Sequence, residues 1–123
     1  MGMINDVYEF QTKVLGNEFP DRRTPANDEL KSQTLVRLRE EVDEYEEADL
    51  LSDQADALVD LIYFALGAAH QCGVDIERVW NDVHAANMRK VKGVTKRGDD
   101  NDAAKPDDWE PPTHRWLDDV EAA

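Results

Sequence analysis

Cysteine is all but missing. Cys72 stands alone in 123 residues, so no intrachain disulfide can staple the chain, and a reducing compartment suits it. Basic residues are scarce too: 14 Lys and Arg face 28 Asp and Glu, for a formal charge of −14. That balance argues against a nucleic-acid polymer or an anionic membrane as partner, since both repel an acidic surface. An acidic protein still binds phosphates where divalent cations bridge the two. The longest apolar run, about a dozen residues from Leu58, is too short to span a bilayer and carries Asp60. The sequence reads as having no signal peptide ahead of its first amphipathic segment, so the cytoplasm is the expected location. It has no Gly-rich phosphate loop, no nucleophile elbow and no zinc-ligand spacing. His84 and His114 read as surface or ordinary packing residues, and no repeat is apparent.

What is present is a globular composition, 41% hydrophobic and 34% charged. The length fits one domain, small enough that oligomerisation would help to bury its apolar surface. The organising stretch is residues 52–73, SDQADALVDLIYFALGAAHQCG. Apolar nearly all round from Leu58 to Ala69, it predicts a helix buried on most faces, with Ser52 as N-cap and Gly73 just past its end. Asp56 and Asp60 share one stripe of it, and unpaired buried carboxylates call for a cation or a cluster of donors.

The other elements are read in order. Residues 4–15 carry a helical apolar period, and the proline-bearing stretch 17–27 is a loop. Thr24 and Pro25 are placed to cap and start a second helix over residues 28–49. Leu35, Leu38, Val42 and Tyr45 form its apolar stripe, with Glu41 and Glu44 beside it in the row of Arg37 and Ala48. Glu40, Asp43 and Glu47 point further away, where a solvated acidic face accounts for them. A short turn then makes the two helices antiparallel and brings Glu41 and Glu44 level with Asp56 and Asp60. Four carboxylates at one level outline a magnesium site.

Asp75 is placed to cap a last helix over residues 76–91, whose stripe Ile76, Val79, Trp80, Val83 turns polar at Asn87 and Lys90. A frayed helix end and a phosphate or base contact both explain that change. Residues 1–93 thus read as a helical domain, and 94–123 as an extended arm anchored through Trp109 and Trp116. Residues 113–120 are long enough for one or two helical turns.

Taken together, RLREEVDEYEEA (37–48), DALVDLIYFALG (56–67), CGVD (72–75) and VHAANMRKV (83–91) resemble the MazG-like, all-α nucleoside triphosphate pyrophosphohydrolase superfamily. The match is to its phosphoribosyl-ATP pyrophosphohydrolase-like subset, and KPDDWEPP (105–112) looks like a degenerate form of that subset's Lys-Gly-Pro-Asn-aromatic-x-Pro-Pro tail. The resemblance implies an all-α four-helix bundle, oligomeric, with a C-terminal arm. It implies an E-x-x-E motif at Glu41 and Glu44 and the final Asp of an E-x-x-D motif at Asp60. The Glu of that second motif is Ala57 here, with Asp56 one residue earlier.

The expected activity is magnesium-dependent hydrolysis of a nucleoside triphosphate, or a related nucleotide, between the α and β phosphates, with Mn2+ as a possible substitute. Glu41, Glu44, Asp56 and Asp60 are the expected metal ligands. Glu40 is the expected base alongside Glu41, and Arg37, Asn87, Lys90 and Lys105 are the substrate contacts. The partners are the nucleotide and a second copy, as homodimer or tetramer. Two alternatives stand beside this reading: phosphoribosyl-ATP pyrophosphohydrolase of histidine biosynthesis, and a non-catalytic helical dimerisation module.

Overall fold

A computed structural model describes residues 2–93 and 102–118, which form two compact units, 2–76 and 77–118. The rest of the expected arm, residues 94–101 and 119–123, lies outside the described residues. The fold is all-α: four helices and one two-stranded ladder among the described residues, as the resemblance implied.

In the first unit α3 (Leu51–Gln71) packs against α1 (Met3–Lys13) and, more extensively, against α2 (Asp28–Glu47). α2 begins at Asp28, as the 28–49 reading has it, and ends two residues early at Glu47, but Thr24 is not its cap. Asn27 is the N-cap, its side chain accepting from the Leu30 amide at 2.8 Å, and Asp28 and Glu29 add charge favourable to the first turn. The Thr24 amide instead donates to the Cys72 carbonyl at 2.9 Å, laying the loop over the end of α3.

Residues 48–50 join α2 to α3, and Gln54 ties the turn shut by donating to the Ala48 carbonyl at 2.9 Å. That tether satisfies a carbonyl at the end of α2. α3 accordingly begins at Leu51 with no side-chain cap, and Ser52 lies inside the first turn instead of capping it.

Its other end follows the sequence. Gly73, at φ 71°, donates to His70 while Val74 donates to Ala69, the paired bonds that close a helix through a left-handed residue. A Cβ at Gly73 would also stand 3.2 Å from the Arg23 Cα, a tight approach that adds to the preference its backbone angle sets for glycine.

The inward row of α2 differs from the expected apolar stripe. Leu30, Thr34, Leu38, Glu41 and Ala48 are the shielded positions, whereas Leu35, Val42 and Tyr45 are exposed. α3 takes the row that carries Glu41, which leaves the more apolar row outside. Buried His70 ties α1 to α3: its Nε2 lies 3.0 Å from the Ile4 carbonyl and its ring meets Tyr8 edge-on.

In the second unit α4 (Ile76–Asn87) stops short of the expected Val91. Val91 instead opens β1 (Val91–Gly93), which pairs antiparallel with β2 (Asp102–Ala104) in the register Val91 to Ala104. A β-branched residue suits the strand better than a helix end. Trp109 anchors the following segment through its Nε1, which donates to the Ala86 carbonyl at 2.6 Å. Arg78 stacks 3.8 Å over Trp116, at a 3-10 turn spanning Arg115–Leu117.

Candidate functional site

The antiparallel hairpin of α2 and α3 brings Glu41, Glu44 and Asp60 together. One carboxylate oxygen from each lies within 4.8 Å of the other two. Oxygens that share one divalent ion, each at about 2.1–2.6 Å from it, stand no more than about 5 Å apart, so the spacing fits a single cation. Among the described residues this is the group of metal-ligating side chains that closes to such a distance.

Glu41 is the most enclosed of the three, 8% exposed, and its Oε2 is buried with no hydrogen-bond partner. Burial, a hydrogen bond with Glu44 and the charges of Glu44, Asp60 and Asp56 together push its pKa from 4.5 to about 7. Burial also raises Asp60, helped by Asp56 and then Glu44. Burial and mutual repulsion make the ionised forms of these carboxylates costly, with an orphaned oxygen among them, and a cation would relieve that cost. The donor set fits a hard divalent ion. Asp56 is exposed and stands outside the group of three, but its charge is felt by both Glu41 and Asp60.

The remaining expected residues are more scattered. Glu40 is solvent-exposed and outside the carboxylate group. Arg37 lies one turn before Glu41, its guanidinium 5.8 Å from the Phe64 ring centroid. Asn87 is the exposed last residue of α4. Lys90 and Lys105 converge on one indole, their ammonium groups 5.0 and 5.1 Å from the Trp109 ring centroid. His84 is exposed, as expected, while His114 is part-buried in a left-handed backbone conformation at φ 55°.

Sequence reasoning missed Gln11. It is 7% exposed, donates from Nε2 to the Gly67 carbonyl at 3.1 Å, and leaves Oε1 without a partner. The signal was there: Gln11 follows Val7 by one turn on the inward stripe of α1, a polar residue on an apolar row.

With the geometry in place, the relationship to known proteins can be read. The family model of phosphoribosyl-ATP pyrophosphohydrolase matches residues 7–87. The chain belongs to this family. Through it the chain joins the MazG-like nucleotide pyrophosphohydrolase superfamily. The phosphoribosyl-ATP pyrophosphohydrolase match takes in all four carboxylates, Arg37 and Asn87, and ends before Lys90 and Lys105. No curated protein matches the sequence. No helix among the described residues is long and apolar enough to cross a membrane.

Proposed function

We propose that this member of the phosphoribosyl-ATP pyrophosphohydrolase family hydrolyses a nucleotide between its α and β phosphates, giving a monophosphate and pyrophosphate, with a divalent metal at the α2–α3 hairpin. The observation that carries this reading is the closure of Glu41, Glu44 and Asp60 to within 4.8 Å around an unpartnered buried oxygen. These three would hold Mg2+ or Mn2+, with Asp56 adding charge beside them. When bound, the ion supplies charge to offset the phosphates and makes water a better nucleophile near neutral pH.

The chain's own groups supply the rest. Glu41 titrates near pH 7 and must release its proton to act as a ligand. Glu40, next to it in sequence, is the proposed acceptor of a proton from the attacking water. Arg37 stands one helical turn before Glu41 on α2 and is the proposed positive contact to substrate there. On the second unit, Lys90 and Lys105 supply the ammonium groups, and Asn87 the amide, proposed to contact substrate.

Canonical and deoxynucleoside triphosphates are one substrate set. The family match favours a second, phosphoribosyl-ATP, which has the same bond to break. Incubation with each, with and without magnesium, is expected to give metal-dependent pyrophosphate and monophosphate. Release of inorganic phosphate instead, or no turnover with any of them, would overturn the reading, the latter in favour of a non-catalytic module.

The working form is proposed to be at least a homodimer. Leu35, Val42 and Tyr45 on α2, and Leu58, Ile62 and Ala65 on α3, form exposed apolar rows on both helices of the hairpin. Soluble monomers rarely leave so much aliphatic surface wet, and a two-fold pairing would cover it. Light scattering is expected to give at least twice the 14.0 kDa chain mass. A fully active 14.0 kDa species at low micromolar concentration would sink the dimer.

A further inference from the structure

Between α1, α2 and α3 lies a cleft of 470 Å³, within the range of small-ligand sites of about 300–1,000 Å³. Arg37 and Phe64, which line it, each stand four residues from a carboxylate of the cluster, Glu41 and Asp60. One helical turn, about 6 Å, thus separates this end of the cleft from the proposed metal ligands. Phe10 and Tyr63, 5.5 Å apart edge-to-face, add aromatic surface of the kind that holds a flat ring.

Gln11 also lines the cleft, and its orientation is not free. The Gly67 carbonyl can only accept, so the amide must turn its Nε2 toward it. Glycine at position 67 makes this possible: a Cβ there would come 2.7 Å from that nitrogen. Gln11 is therefore left with one uncommitted function, an acceptor oxygen shielded from water and lacking a donor. Such an oxygen is a standing cost to the free protein, and a donor that reaches it meets no competition from solvent.

We propose that the cleft takes the nucleobase of the substrate, and that Gln11 selects a ring whose edge carries an N–H donor for its Oε1. This rests on the nucleotide reading above. An acceptor locked in one orientation discriminates more sharply than a rotating amide, because a ring without the donor leaves it unpaired.

The test titrates wild-type protein calorimetrically with 5′-monophosphates, which lack the scissile bond, in pairs differing at one N–H-bearing position. The pairs are adenosine against purine riboside, cytidine against the 4-unsubstituted pyrimidin-2-one, and uridine against N3-methyluridine. In at least one pair the N–H member is expected to bind about tenfold more tightly. Gln11→Leu should bring that pair within about twofold by weakening the N–H member alone. Absence of binding, wild-type pairs that do not separate, or a gap that survives in folded Gln11→Leu would each overturn the proposal. The wild-type comparison needs no variant, so a misfolded Gln11→Leu does not shield it. Pyrophosphate release with unseparated pairs would remove this inference and leave the proposed function standing; separated pairs without turnover would do the reverse.

Discussion

Asp60→Asn is expected to lower metal-dependent turnover by about a thousandfold, the upper end of what removing one group that stabilises developing charge costs. Asp60 is one of three groups that close around a common point, and neither Glu41 nor Glu44 can take its place from α2. The fold should survive. Burial, Asp56 and Glu44 already disfavour the ionised Asp60, so a neutral amide of the same shape removes repulsion. Helical circular dichroism should be unchanged, and the melting temperature in chelator should hold or rise. Near-normal magnesium-dependent turnover in this variant would show that the site has been placed wrongly.

Without metal, the melting temperature is expected to fall as pH rises from about 4.5 to about 7. Those limits are the ordinary and the folded pKa of Glu41. Between them the folded protein keeps the Glu41 proton and the unfolded chain has lost it. Raising the pH therefore favours the unfolded state, and the stability gained from the protonated form is gone above about 7. Asp60, raised from 3.8, acts in the same direction.

Saturating magnesium or manganese should oppose this slope, because the ligands bind only when deprotonated and the ion removes their repulsion. At about a hundredfold excess over its dissociation constant, an ion adds about 2.7 kcal/mol, on the order of 10 °C in a domain of this size. General repulsion in a chain of charge −14 also grows with pH, so Glu41→Gln is the control and should flatten the chelator curve. A melting temperature indifferent to millimolar metal, in wild type and Asp60→Asn alike, would count against a structural role for the ion.

The closing together of three of the four expected carboxylates, Asp56 excepted, was more legible in the sequence than the packing around them. Glu41, Glu44 and Asp60 announced themselves because the turn between their helices is short, so helical spacing alone sets them level. Gly73 was equally readable, since few residues tolerate its backbone angle. Caps were less so: Thr24, Asn27 and Ser52 are all capable side chains, and the choice among them was made by where the loop crosses α3 and by the Gln54 tether.

The apolar row of α2 misled for a related reason. Periodicity ranks rows by hydrophobicity, but Glu41 and Thr34 face α3 and the cleft, whatever their polarity. The strand at Val91 depends on a partner 13 positions away in the chain, Ala104, which no local pattern discloses. Gln11 stood out only as a polar residue on the apolar row of α1, and the missing partner of Oε1, which the sequence does not carry, is what singles it out.

The three-residue link between α2 and α3 has a consequence for the order of folding. From Glu41 to Asp60 the chain runs only 19 positions, nearly all of them in two helices that meet at that link. Closing so short a loop costs little entropy, and contacts this local form early on the folding route. The cluster therefore assembles with the hairpin, whereas the Gln11 amide needs a partner 56 positions away. Cation capture and cleft formation are separable in time. If the cluster holds the proposed ion, a chain that has formed only its hairpin is expected to have its carboxylates level before the proposed base cleft exists.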